Sequence, residues 1–182
     1  MRIIAGKYRG RVLAEFAGEE VRPTADRVKE SLFNILGYRF MGSRVLDLFA
    51  GSGALGLECL SRGASEVVFN DVSKDSIGIL KKNLEKLKLK PNGEEAKVHG
   101  HDYLVCLDAV KPAFDLIFID PPYRFDYGKL ALEKIVKKGL LKEDGVIVYE
   151  RDRAFEEEIE GLEKYDERKY GKTILSFFRL KA

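Results

Sequence analysis

Residues 45–56 read VLDLFAGSGALG: an apolar run with one acid in it, then glycines at 51, 53 and 56. Residues 44–49 suit a buried strand, and GALGLECLSRG, closing at Gly63, has the apolar spacing of a helix. A strand that turns through glycines straight into a helix is the opening unit of a parallel α/β sheet. The alternation continues. EVVFND, AKVHG, FDLIFID and GVIVYE read as strands. Between them, helices are expected from Ser73, as N-cap, to about residue 88, near 102–110 and near 127–138. The end of the chain breaks the rhythm, because KYDERKYGKTILSFFRLK offers two strand-like runs joined at Gly171-Lys172, a hairpin signature. At the other end, MRIIAGKYRGRVL reads as a hairpin around Gly6 and Gly10. RPTADRVKESLFNILGYRF reads as a helix with Pro23 before it, Thr24 as N-cap and Val28, Leu32, Phe33, Ile35 and Leu36 on one face. The expected architecture is one α/β domain over 1–182, doubly wound and mostly parallel. Residues 41–182 form its core and 1–40 a basic N-terminal extension.

A composition of 45% apolar and 34% charged residues is that of a soluble globular protein. No apolar run approaches a membrane span, and the N-terminus lacks a signal-peptide core. Cys59 and Cys106 are too few for a disulfide framework, which points to a reducing, cytoplasmic setting. No long apolar surface stripe demands a dimer, so a monomer is expected. The net charge of +2 says little, but its distribution says more. Residues 1–13 carry Arg2, Lys7, Arg9 and Arg11 and no acid, whereas 143–167 are dominated by acids. The basic end suits nucleic acid, with an ordinary solvated surface as the alternative.

Gly51, Gly53 and Gly56 formally satisfy G-x-G-x-x-G, a dinucleotide fingerprint that is weak on its own. Asp47 argues for another ligand. At the strand's end its carboxylate disfavours a pyrophosphate in the same crevice and favours a cationic group. S-adenosylmethionine carries a sulfonium and an α-ammonium. A plain capping role is the alternative for Asp47. The second strand ends at Asp71, which can accept both ribose hydroxyls of an adenosine or cap the next helix. The third ends at His99-Gly100-His101-Asp102, where Asp102 can accept the adenine amino group. The His-x-His spacing also suits a metal, but the chain has only two histidines and no evident third ligand, so no metal is expected.

The fourth strand, FDLIFID, runs into Asp120-Pro121-Pro122-Tyr123. Neither proline can donate to a sheet ladder, so the strand must stop there with a carboxylate at its carboxyl end. The sequence resembles the [Asn/Asp/Ser]-Pro-Pro-[Tyr/Phe] motif of methyltransferases that alkylate exocyclic amines of bases. Such an amine is a poor nucleophile because its lone pair is delocalised into the ring. Asp120 and the Pro121 carbonyl can both accept from its N–H groups and aim the lone pair. The prolines hold those acceptors rigid, and Tyr123 offers a stacking face worth roughly 1–3 kcal/mol.

Taken in order, MRIIAGKYRGRVL, RPTADRVKESLFNIL, VLDLFAGSGALGLECLSRGA and FDLIFIDPPY resemble the bacterial 16S ribosomal RNA guanine-N2 methyltransferase family. The likeness spans nearly the whole chain. It implies a Rossmann-like class I fold, a seven-stranded sheet with a reversed last strand, and transfer of a methyl from S-adenosylmethionine to N2 of a guanine in small-subunit RNA, free or in an assembling subunit. By motif, Asp47, Phe49, Gly51 and Gly53 would line the methionine end of the cofactor, Asp71 the ribose and Asp102 the adenine. Asp120, Pro121, Pro122 and Tyr123 would form the catalytic motif. Arg22, Thr24 and Arg27 would lie beside the target base or RNA phosphates, and Arg2, Lys7, Arg9 and Arg11 would bind phosphates. The same catalytic motif also serves adenine N6, and a fold-retaining RNA-binding assembly protein and a nicotinamide oxidoreductase are the other readings weighed.

Overall fold

The computed structural model describes residues 1–17, 23–122 and 126–182. Helix α1 (Pro23–Leu36) precedes an alternating series: β1 (Arg44–Asp47), α2 (Ala54–Ser61), β2 (Glu66–Asn70), α3 (Lys74–Lys86), β3 (Ala96–His99), α4 (Tyr103–Ala109), β4 (Phe114–Ile119), α5 (Gly128–Lys137) and β5 (Leu141–Arg151). Strands β6 (Leu162–Tyr170) and β7 (Thr173–Leu180) close the chain. All seven strands form one sheet in the order β3-β2-β1-β4-β5-β7-β6. β1 to β5 pair in parallel, while β7 runs antiparallel to both β5 and β6. This is the expected seven-stranded sheet, with the reversed strand and the turn at Gly171-Lys172.

The strands read as continuous apolar runs because both sheet faces are buried. Val45, Val67, Phe69, Leu116, Phe118, Val146 and Val148 face one core, which α1, α2 and α3 cover through Leu32, Phe33, Leu57 and Leu84. Their neighbours Leu46, Val68, Ile117, Ile119, Ile147 and Tyr149 face the other, which α4 and α5 cover through Leu107, Leu132 and Ile135. Ser73 caps α3 as expected, its Oγ accepting from the Ser76 N–H. Strand β5 begins earlier than GVIVYE. Leu141 pairs with Phe114, and the polar Lys142, Glu143 and Asp144 follow before pairing resumes at Leu116 with Val146, across a register shift. Helix α1 opens at Pro23, so Thr24 lies inside its first turn rather than ahead of it as a cap. A proline's missing N–H costs no helical bond at that position.

The expected N-terminal hairpin is present but short: an antiparallel bridge of Arg2 with Val12, flanked by bonds from the Ile3 N–H to the Arg11 carbonyl, the Gly10 N–H to the Ile3 carbonyl and the Leu13 N–H to the Met1 carbonyl. Its remaining backbone groups turn to the core. The Ile4 and Ala5 N–H groups donate to the two oxygens of Glu58 in α2, at 2.8 and 3.1 Å. The Lys7 N–H donates to the Ser61 carbonyl at 2.8 Å, and the Tyr8 N–H to the Ser61 Oγ at 2.9 Å. Glycine is required at position 6, where φ is +88° and a Cβ would lie 1.9 Å from the Ser61 carbonyl oxygen. Further along, Asn83 of α3 takes the Ala14 N–H at 2.6 Å and returns a bond to its carbonyl at 3.1 Å. The extension divides its hydrogen bonds between its own short hairpin and the core.

Glu58 is fully buried and also meets Lys29 of α1 at 3.1 Å and Arg62 at 2.9 Å. Burial alone would raise its pKa. Lys29, the Ile4 N–H and Arg62 together bring it below the ordinary carboxylate value. Lys29 is 3% exposed, and burial lowers its pKa despite the attraction of Glu58. Removing one member of such a group leaves the others charged, buried and unmatched. Glu58→Ala is therefore expected to cost ~3–5 kcal/mol in urea denaturation. A loss within surface-substitution range, under about 0.5 kcal/mol, would show that the extension is held by packing alone.

Candidate active site at the carboxyl edge of the sheet

Strands β1 and β4 are neighbours, and the chain leaves them toward opposite sides of the sheet, β1 toward β2 and β4 toward β5. The crevice beyond their carboxyl ends is where open α/β sheets bind ligands. A cavity of about 1080 Å³ lies there. Its walls are the glycine turn from Phe49 to Ser52, Asp71, Val72 and Ser73 after β2, Asp120, Pro121 and Pro122 after β4, and Glu150 near the end of β5. Val28 and Lys29 of α1, together with Met1 and Phe16, close it from the extension, and Tyr170, Lys172 and Thr173 from the last hairpin.

Gly51 has φ +56° and a Cβ there would meet nothing within 4 Å, so the turn presents bare backbone to open space. The Gly51 N–H donates to Asp71 Oδ2 at 2.9 Å, and the Ser73 N–H donates to Asp71 Oδ1 at 2.9 Å. Asp71 thus ties the first βα turn to the second. Each of its oxygens keeps a further lone pair for a ligand hydroxyl. Gly53, at φ +88°, begins α2 and is not on the cavity wall.

Asp47 is 1% exposed and stands behind the wall, not on it. Its Oδ2 accepts from the Gly56 N–H at 3.1 Å in the first turn of α2. Burial, and secondarily Asp71, raise its pKa to about 7, while the Gly56 bond works the other way. Asp120 is half-buried on the wall, with Pro121 buried beside it and Pro122 exposed. Its pKa is pushed well above the carboxylate range by burial first, then by Glu150 and Asp47. The pairing of Ile119 with Tyr149 explains the Glu150 contribution, since the next residue on each strand is Asp120 and Glu150. Burial disfavours the charged forms of Asp47 and Asp120 at this edge, and a cation entering the cavity would favour them.

An aromatic group flanks the acids. Phe49 and Tyr127 stack with ring centroids 5.9 Å apart and planes 3° apart, and Tyr103 lies 4.6 Å from Tyr127. Tyr123 and Arg22 lie outside the described residues, as does the Thr24 side chain. Asp102 is exposed and off the cavity wall; its Oδ1 caps α4 by accepting from the Leu104 N–H at 3.0 Å. His99 and His101 pack edge to face at 5.5 Å, and no group of three metal-binding side chains occurs among the described residues. Arg2, Lys7, Arg9, Arg11 and Arg27 are exposed. Glu150 could have been found by the rule that singled out Asp47, Asp71 and Asp120, an acid at a strand's end. Lys29 and Tyr127 carry no such signal, since only tertiary packing brings them to the edge.

The sheet order, with its antiparallel last strands, is that of the class I methyltransferases that are its structural neighbours. A family model described as "Conserved hypothetical protein 95" matches residues 1–179, and the chain belongs to that family. It is 42% identical over 155 residues to "Ribosomal RNA small subunit methyltransferase D" of Haemophilus influenzae, covering 84% of this chain and 79% of the relative. It is 41% identical over 184 residues to the Bacillus subtilis protein YlbH, covering 98% of each. Among solved structures, Escherichia coli yhhF superposes with a TM-score of 0.86 at 32% identity, over 100% of this chain and 98% of that one. SMU.776, solved with SAH, shares the fold at 16% identity and a TM-score of 0.67, over 88% of this chain and 50% of that one.

The Asp47 shift has a signed consequence. With a folded pKa near 7 against an ordinary 3.8, the native state binds more protons than the unfolded one between those values. Stability from this group is then full below the lower value and lost as pH rises toward 7, by at most ~1.4 kcal/mol per pH unit. Asp47→Asn keeps an acceptor for Gly56 and should flatten that slope in denaturation at pH 4–7. An unchanged slope would place the raised pKa elsewhere.

Proposed function

We propose that this protein transfers a methyl group from S-adenosylmethionine to the exocyclic N2 amine of a guanine in 16S ribosomal RNA, in the bacterial cytoplasm. The observation that carries the reading is the placement of Asp120 and Pro121 on the wall of an acidic cavity beside the glycine turn. The anionic edge suits a sulfonium and an ammonium, and Gly51 leaves room for close approach of the cofactor to the backbone. Asp71 is placed to take the ribose hydroxyls. Bound there, S-adenosylmethionine supplies an electrophilic methyl on a cationic sulfur.

The protein's part is orientation. Asp120 and the Pro121 carbonyl accept from the amine N–H groups and turn the nitrogen lone pair toward the methyl. As the carbon–nitrogen bond forms and the methyl parts from sulfur, the nitrogen becomes cationic and sheds one proton, which Asp120 on the cavity wall would take in its ionised form. The target base must leave its stack to present both its edge and its face. The name of the Haemophilus influenzae relative supports ribosomal RNA as substrate. The exposed Lys7, Arg9 and Arg11 suit phosphate contacts.

The test is transfer of labelled methyl to small-subunit RNA or subunits, followed by digestion to nucleosides. N2-methylguanosine is the expected product, and label on adenine N6 would move the reading to the other exocyclic amine. Asp120→Ala should abolish most transfer while leaving S-adenosylmethionine affinity within a few-fold; near-normal turnover would remove Asp120 from the chemistry. Replacing Lys7, Arg9 and Arg11 together with Ala should weaken RNA binding and lower its salt slope by up to about one contact per residue, with little change in melting temperature. Normal RNA binding at every salt concentration would mean that the RNA approaches from another face.

A further inference from the structure

The acceptors assigned to the amine leave one hydrogen-bonding group of a guanine edge unread. Beside the N2 amine, guanine carries an N1–H donor. A purine of adenine type has a bare acceptor nitrogen there. Whatever faces that position therefore decides which base is tolerated, because a buried polar group left opposite a like partner costs far more than a lost contact.

The sheet register supplies a group at that place. Strands β4 and β5 run parallel with Ile119 opposite Tyr149, so the next residues, Asp120 and Glu150, stand on adjacent strands at the same edge. Both line the cavity, and Glu150 is half-buried there. Glu150 is thus an acceptor on the cavity wall next to the groups assigned to the amine. We propose that Glu150 accepts the N1–H of the target guanine and is the residue that separates guanine from purines with an unprotonated N1. The assignment rests on the guanine-N2 reading above.

The geometry suits the chemistry. A carboxylate accepts and cannot donate, so it holds an N1–H and repels an N1 lone pair. A shift of that acid to an amide of the same shape reverses the preference, since the amide NH₂ can donate to a bare N1. The alternative occupant of the N1–H is Asp120 itself, reading N1–H and N2–H together. In that case Glu150 has no influence on base choice.

The experiment compares two substrates. One is the small-subunit RNA with its natural guanine at the position the wild-type enzyme methylates. The other is the same RNA, made by ligation, with 2,6-diaminopurine there, which keeps the 2-amino group but has no N1–H. Wild type is expected to favour guanine in kcat/KM. Glu150→Gln should lower that preference by roughly 10- to 100-fold, the discrimination typical of one base-edge contact pair, through loss on guanine and gain on diaminopurine. S-adenosylmethionine binding and melting temperature report folding but do not enter the ratio, so a merely structural role leaves the preference unchanged. An equal fall on both substrates, or no fall on either, overturns the assignment. If wild type makes no N2-methylguanosine at all, the guanine reading fails and this inference with it, an outcome visible before any variant is made.

Discussion

A single buried carboxylate gathers the N-terminal segment and α1 onto α2. Glu58 takes two backbone N–H groups from the N-terminal segment, the ammonium of Lys29 in α1 and the guanidinium of Arg62 in its own helix. Ser61 of the same helix adds bonds to Ala5, Lys7 and Tyr8, so α2 is the element to which residues 1–8 are fastened. Met1, Val28 and Lys29, which this cluster helps to hold, are cavity walls. α2 also begins at the glycine turn and carries the Gly56 N–H that holds Asp47. One helix therefore links the roof of the cavity to its floor. The N-terminal extension is part of the site's architecture as well as a basic surface.

Much of the fold was legible in the sequence for a physical reason. Buried parallel strands must be apolar on both faces, and each return helix must show its own spacing, so VLDLF, EVVFN and FDLIFI announce themselves. The terminal hairpin was equally plain from Gly171-Lys172. What local pattern could not show was the destination of bonds between distant segments. A glutamate inside ALGLECLS looks like an ordinary helical residue until Ile4, Ala5 and Lys29 arrive, and nothing in the N-terminal hairpin's own pattern announces that residues 4 to 8 bond to Glu58 and Ser61.

The site was legible to the same depth. Acids at strand ends marked Asp71 and Asp120, both of which reach the cavity. The same rule placed Asp47 and Asp102 there too, and tertiary geometry turned the first behind the wall and used the second to cap α4. Phe49's partners Tyr103 and Tyr127 come from two different segments and meet only because α4 and α5 share a sheet face. Such meetings leave no trace in spacing.

The chemical consequence is an edge where Asp47, Asp71, Asp120 and Glu150 converge, with pKa values of Asp47 and Asp120 raised mainly by burial. An entering dianion such as a pyrophosphate would add to that repulsion, whereas a cation would relieve it. The glycine spacing alone would allow either ligand; the carboxylates choose. Isothermal calorimetry of the protein with S-adenosylmethionine and, separately, with NAD tests this most directly. The account predicts one-to-one binding of S-adenosylmethionine and no heat from NAD at concentrations that saturate the first. Binding of NAD with equal affinity would contradict it.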